Sequence, residues 1–313
     1  MDTGDMRYGV VDLGSNTMRM SVYEERGGSL RHMMSERELV GLIGYTSEGV
    51  LSDEGILRVV ETLSDFRDTA QSIGCDRFAC FATAGLRNIH NTGHAVELIR
   101  RRTGVEVNVI SGEEEARLDF IGAYRGAGVE KGLMVDMGGG STELVRFEGT
   151  QMLHSVSLPF GSLLLYKNFV REILPTEGEL EKIAAFVSAQ LAGLSWLRGA
   201  ETLCVIGGTG RAVARLRQDR FDRGLSELQG YRFPASDLKA LLRGLSGARR
   251  KSARTLTRLT PERVHTVLPG LCAFTRLCKA SGAGTVVISR NGVREGFLHE
   301  HVLGPEQRQE EIS

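Results

Sequence analysis

The stretch Leu133-Met134-Val135-Asp136-Met137-Gly138-Gly139-Gly140-Ser141-Thr142-Glu143-Leu144-Val145 decides the fold. An apolar run carries one carboxylate to a strand end. Three glycines, two hydroxyl residues and a second apolar run follow. Consecutive glycines accept positive φ and let backbone N–H groups approach an anion with no Cβ in the way. Asp136 stands where it could orient a hydrated cation or a water. Taken alone, the run reads equally well as a β-hairpin with a glycine-rich turn.

The pattern recurs, and recurrence separates the two readings. Val10-Val11-Asp12-Leu13-Gly14-Ser15-Asn16-Thr17-Met18-Arg19-Met20 aligns with it on Asp12 and Asp136. A third apolar strand, Leu203–Ile206, runs into Gly207-Gly208-Thr209-Gly210. Strands that each end in a Gly/Ser/Thr turn suggest two similar halves facing a phosphate between them.

The surrounding pattern is α/β. Residues 7–13, 18–24 and 31–40 alternate as strands, and Ser52 caps a helix built on Ile56, Val60, Leu63, Phe66, Ala70 and Ile73. A strand at 77–82, a helix near 93–103 and a strand at 105–110 follow. Beyond Asp136 the pattern predicts strands at 143–148 and 152–158 and a helix starting at 160–162. It continues with a helix from Thr176 to about Leu197, one from Pro261 to about Lys279, a strand at 285–289 and a closing helix over 292–301. Strands alternating with helices indicate a mixed sheet rather than a sandwich.

Ser111-Gly112-Glu113-Glu114-Glu115-Ala116-Arg117 admits two uses of Glu114. Three residues after Ser111, it fits a capping box. At the start of a helix crossing between halves, near 111–130, it could equally be a carboxylate that substrate passes. Arg87, in the turn after strand 77–82, could neutralise a phosphate there.

Hydrophobic residues make up 41% of the 313, charged residues 25%, and the net charge is zero, as in a soluble globular protein. No apolar run reaches membrane-spanning length, and the first residues do not read as a signal peptide. The five cysteines lack C-x-x-C spacing, which points to reduced, buried thiols in the cytoplasm. Between Arg211 and Arg263 fourteen Lys/Arg face five acids, a local charge that would attract a polyanion or would simply be a solvated helical face. Walker, dinucleotide, nucleophile-elbow and H-E-x-x-H motifs are absent, which leaves acyl hydrolase, zinc protease and NAD-dependent readings without support.

Asp12–Thr17, Ala82-Thr83-Ala84-Gly85-Leu86-Arg87, Ser111–Arg117 and Asp136–Leu144 together resemble the exopolyphosphatase/guanosine pentaphosphate phosphatase (Ppx/GppA) family. Gly207-Gly208-Thr209 and Arg294-Glu295-Gly296 fit its later motifs, so the resemblance runs from about residue 7 to 302. It implies two actin/hexokinase/Hsp70-like (ribonuclease H-like) domains with an active-site cleft between them. Domain I would be 1–125, with 297–313 packing back on it, and domain II 126–296. The long members carry a C-terminal HD-type domain that has no counterpart in this sequence.

The resemblance implies a Mg²⁺-dependent (or Mn²⁺-dependent) exopolyphosphatase acting on inorganic polyphosphate. The alternative is hydrolysis of guanosine pentaphosphate. Lesser alternatives are an ATP-dependent kinase of the same fold and a non-catalytic polyphosphate or alarmone sensor. Glu114 would be the general base, with Asp136 helping to hold water and metal and Asp12 facing it. Gly14, Ser15, Asn16, Thr17, Arg87, Gly138, Gly139, Gly140, Ser141, Thr142, Gly207, Gly208 and Thr209 would bind phosphate. Arg249, Arg250, Lys251 and Arg254 would line a polyphosphate path. A cytoplasmic homodimer with no nucleic-acid or membrane partner completes the expectation. His265 departs from the family pattern, which has an aspartate there.

Overall fold

The computed structural model describes residues 6–26, 29–222, 224–247 and 249–303, with the side chains of 29, 125–127 and 249 left aside. The chain divides into two compact units, residues 1–118 with 294–313 and residues 119–293. Among the described residues no helix is long and apolar enough to cross a membrane.

The first unit begins with an antiparallel meander: β1 (Met6–Leu13), β2 (Thr17–Arg26) and β3 (Ser29–Leu39). A two-residue pair, β4 (Thr46–Ser47) and β5 (Val50–Leu51), leads into helix α1 (Asp53–Ser72). Ser52 accepts from the Gly55 amide at 3.2 Å, the N-cap bond that its place before an apolar helix predicts. Strand β6 (Arg77–Ala82) then pairs parallel to β1, and α2 (Ala84–Arg87) and α3 (Thr92–Thr103) lead to β7 (Val107–Val109) and α4 (Gly112–Ala127). The sheet order is β3-β2-β1-β6-β7. β7 is shorter than the strand expected at 105–110, although Ile110 still donates to the Ala82 carbonyl at 3.0 Å.

The second unit repeats that order. Strands β8 (Lys131–Met137), β9 (Thr142–Glu148) and β10 (Gln151–Leu158) form its meander, followed by α5 (Ser162–Phe169) and α6 (Glu177–Leu191). Strand β11 (Thr202–Ile206) lies parallel to β8 and runs into α7 (Gly207–Arg217). Next come β12 (Arg232–Pro234), α8 (Ser236–Ser246), α9 (Arg249–Leu259), α10 (Val267–Ser281) and β13 (Thr285–Ile288). The order β10-β9-β8-β11-β13-β12 is the first unit's order with one antiparallel edge strand added. Each unit is thus a ribonuclease H-like sheet, and the chain carries two.

Helix α10 corrects one expectation. It starts at Val267 rather than Pro261, after a short 3-10 turn at Pro261–Arg263. Pro269 explains this, because its ring and missing N–H are tolerated in a first turn but not inside a helix begun eight residues earlier. α6 ends at Leu191, short of the expected Leu197, after starting with a full capping box between Thr176 and Glu179. The closing segment, α11 (Val293–Phe297), returns the chain to the first unit, where Phe297 stacks on Phe81 with centroids 4.6 Å apart. Gly296 is required there, since a Cβ would lie 1.9 Å from the Leu118 carbonyl oxygen. Residues 304–313, expected to be a frayed tail, lie outside the described residues.

All five cysteines are unpaired, and burial pushes the Cys272 thiol up to about 11 and Cys204 and Cys278 to about 12. They are packing groups rather than nucleophiles. Each unit has its own core. Phe66 is fully buried in the first, a core that also holds Val11 of β1, Ile56 of α1 and Ile99 of α3. Phe66→Ala is expected to lower unfolding free energy by about 3–5 kcal/mol. In urea titrations the expected sign is a lower midpoint at unchanged slope.

Candidate active site

The two carboxylate loops close in the same way. In the first unit the Gly14 amide donates to the Thr17 carbonyl at 3.0 Å; in the second the Gly138 amide donates to the Ser141 carbonyl at 3.0 Å. The sequence pattern allows a hairpin turn or an anion cradle, and both units form the hairpin. It fixes the loop backbone without excluding the cradle. Neighbouring chain then pins each loop. Asn16 O accepts from the Val40 and Gly41 amides at 3.1 and 2.9 Å, and Gly139 O accepts from the Leu163 and Leu164 amides at 3.1 and 3.0 Å. Gly85 and Gly161 allow close approach: a Cβ on the first would stand 3.0 Å from Gly14 O, and on the second 2.5 Å from the Gly139 carbonyl carbon.

Two hydroxyls assigned to phosphate are engaged elsewhere. Thr142 Oγ1 donates to Phe160 O at 2.6 Å and Thr209 Oγ1 to Met137 O at 2.9 Å, and both residues are fully buried. A buried hydroxyl without a partner is costly, so these side chains tie strand to loop.

Register sets what stands beside each carboxylate. Asp12 pairs with Arg19 across β1–β2, and Asp136 pairs with Glu143 across β8–β9. Equivalent positions thus hold a cation in one unit and a second carboxylate in the other. Glu143 is buried and accepts from Ser157 Oγ at 2.8 Å. Arg294 Nη1 lies 3.6 Å from Asp12 Oδ2, and Tyr23 donates to its neighbour Glu295 at 2.6 Å. Burial disfavours the Arg294 charge, but Glu295, Tyr23 and Asp12 outweigh it and raise its pKa.

In the second unit Asp136 rests on a glycine turn. Gly207 has φ +77°, and a Cβ there would lie 2.1 Å from Asp136 Oδ1. Glycine is therefore needed for conformation and for space. Arg263 covers the next residue, since a Cβ on Gly208 would meet its Nη2 at 2.0 Å. Arg263 comes from the 3-10 turn before α10, and its Nη1 lies 3.5 Å from Thr209 Oγ1. Sequence reading missed Arg19, Glu143, Arg263 and Arg294 as site residues.

The two central glutamates of α4 part company. Glu114 takes only half of a capping box: its amide donates to Ser111 Oγ at 3.0 Å, but its carboxylate meets Arg117 at 3.1 Å and His301 at 3.2 Å. The Arg117 hydrogen bonds lead the causes that hold its carboxyl below the usual range. Glu115, 7% exposed, meets Arg87 Nη1 at 2.6 Å, and Arg87 also donates to Ile110 O at 3.3 Å. The expected phosphate cation is thus joined to Glu115, not Glu114. Among the described residues no three of His, Cys, Asp and Glu cluster as a metal site. On α9, Arg250, Lys251 and Arg254 are exposed, and the Arg249 side chain lies outside the described residues.

The sequence profile of the Ppx/GppA phosphatase family matches residues 21–304. This chain belongs to that family. Over 191 residues the Ppx/GppA chain is 32% identical to Exopolyphosphatase 1 of Mycobacterium tuberculosis, covering 60% of this chain and 56% of that one. It is 29% identical over 306 residues to the guanosine-5'-triphosphate,3'-diphosphate pyrophosphatase of Photobacterium profundum, covering 94% of this chain and 59% of the relative. The chain thus spans less than two thirds of the length of both relatives. Its fold matches an exopolyphosphatase of Cytophaga hutchinsonii with TM-score 0.84 at 22% identity, covering 94% and 96% of the two chains. It matches a Ppx/GppA family member of Aquifex aeolicus with TM-score 0.78 at 23% identity and the same coverage.

His265, the departure from the family pattern, packs edge-on against Tyr166 with centroids 4.9 Å apart. Burial first, then the Arg263 charge, lowers its pKa. The folded state therefore favours neutral imidazole. Its contribution to stability is complete above the unfolded value, about 6.5, and declines as pH falls below it. NMR titration is expected to place His265 below that value, and Arg263→Ala to move it part of the way back.

Proposed function

We propose that this protein is an exopolyphosphatase, hydrolysing the terminal phosphoanhydride of inorganic polyphosphate. The observation that carries the reading is the repeated carboxylate-and-closed-glycine turn, Asp12–Thr17 and Asp136–Thr142, whose amide closure is the same in both units. In the first unit the backbone amides of Ser15 and Asn16 offer donors to phosphate oxygens, with Arg19 and Arg87 to neutralise charge; in the second, the amides of Gly139, Gly140 and Ser141 and the Arg263 guanidinium do the same. The Arg87 contact favours Glu115 over Glu114 as the carboxylate that orients the attacking water. Water oxygen forms the new P–O bond, Glu115 takes its proton, and the bridging P–O bond breaks to release orthophosphate. A hydrolase of this kind needs a positioned water rather than a covalent nucleophile.

Mg²⁺ (or Mn²⁺) belongs to the same proposal. A carboxylate beside a phosphate loop fits an ion that keeps most of its waters and takes its other ligands from substrate. Asp136 would hold it, with Asp12 tempered by its contact to Arg294. The ion would supply charge neutralisation at the phosphates. A second reading, guanosine pentaphosphate as substrate, draws on the pyrophosphatase relative that aligns over 94% of this chain. Phosphate release measured on both substrates in parallel discriminates, and turnover of the nucleotide alone would sink the first. A cytoplasmic homodimer is part of the reading, checked for its second half by sedimentation.

Glu115→Gln is expected to lower kcat by about 10²–10⁴-fold with substrate binding retained. Glu114→Gln should stay near wild type; the opposite ranking returns the base to Glu114. Asp136→Asn is expected to move the Mg²⁺ activation curve to higher concentration, and an unchanged titration removes Asp136 from the ion.

Arg250 and Arg254, one turn apart on α9, remain as a path for distal polyphosphate. Binding there is uniform between ground and transition state, so the double alanine variant should raise KM and spare kcat. The loss should grow with chain length and shrink with added salt. Equal KM on short and long polymer leaves the two arginines as a solvated face.

A further inference from the structure

A cavity in the second unit lies away from its phosphate loop. It encloses about 570 Å³ among the C-terminal end of α7, the π turn after it, α8 and α9. Leu216 on its wall is nine residues from Gly207, about 14 Å along the helix. It therefore does not overlap the Gly207–Thr209 turn.

Its lining is of two kinds. Leu216, Leu241 and Leu245 form an apolar floor, each under a tenth exposed. Arg220, Phe221 and Lys251 stand around it, and the Phe221 ring is 39% exposed. Gly244 is on the same face of α8 as Leu241 and Leu245 and seats the Arg220 guanidinium: a Cβ there would lie 2.7 Å from its Cζ. The same guanidinium is 5.7 Å from the Phe221 ring centroid, which presents a flat cation beside an aromatic surface.

The neighbouring acids do not offset these cations. Asp219 itself lines the cavity but is paired with Arg258 at 2.7 Å, and Asp222 is paired with Arg217 and the Tyr231 hydroxyl. Arg220 and Lys251 thus give the cavity a positive charge, over a floor that water solvates poorly. Volume, floor and charge fit one class of ligand. We propose that this cavity is a binding site for a small amphipathic anion, an apolar or planar body bearing a phosphate, sulfonate or carboxylate. The body lies on the leucines and Phe221, and the anionic group meets Lys251 and Arg220. This site also accounts for Lys251, which lines the cavity, whereas Arg250 and Arg254 do not.

The proposal is independent of the hydrolase reading and is tested by binding alone. The probe is 1-anilinonaphthalene-8-sulfonate, titrated by fluorescence against the full chain. Saturation at one site per chain is expected, with affinity about tenfold or more weaker in Arg220→Ala/Lys251→Ala, the scale of a lost charge-assisted hydrogen bond. Gly244→Leu fills the Arg220 seat and replaces a glycine in the last turn of α8, so it should abolish binding while helix content and melting temperature hold. The uncharged analogue N-phenyl-1-naphthylamine should bind at least about tenfold more weakly. Equal affinity in wild type and both variants would overturn the proposal, because the dye would then sit elsewhere. Equally tight binding of the uncharged analogue would overturn the anion requirement, and displacement of the dye by millimolar inorganic phosphate would reduce the cavity to a simple anion site.

Discussion

One hydrogen bond, made twice, organises this protein. An amide two residues past a strand-end carboxylate donates to the carbonyl three residues further on, Gly14 to Thr17 and Gly138 to Ser141. It turns the chain back into the next strand and so sets the register of each hairpin. Register then chooses the neighbour of each carboxylate, Arg19 for Asp12 and Glu143 for Asp136. Gly85 and Gly161, lacking a Cβ, let other backbone pack directly against the turn. Loop, strand pairing and packing are therefore a single constraint, met with different side chains in each unit.

Much of this was legible because the informative signals were local. Asp12 and Asp136 announce themselves through an apolar run before and glycine after. Arg19 had a local signal too: it stands between Met18 and Met20, both fully buried, so alternation puts it on the other face of β2. Arg263 and Arg294 had none. They reach their neighbours from distant sequence, one on a 3-10 turn and one on the last helix, and only tertiary structure brings them there.

The α4 glutamates show a different limit. Adjacent helical residues point about 100° apart, so one of Glu114 and Glu115 must face away from Arg87. Arg117, three residues after Glu114, already competes for it on the helix surface. Motif position alone could not express that phase. The basic stretch 211–263 misleads in a similar way. Arg217 is held by Asp222 and Asp237, and Arg258 by Asp219, so part of its charge is neutralised internally.

The placement of the carboxylates within their sheets has a kinetic meaning. β1 is the middle strand of the first sheet, and β8 has neighbours on both sides in the second. Inner strands are the last to exchange their amide hydrogens, because they open only with the unit as a whole. Asp12 and Asp136 therefore keep their settings until global unfolding. Fraying at the edge strands β3, β7, β10 and β12 can proceed without disturbing either acid. Chemical competence and foldedness rise and fall together at these two residues.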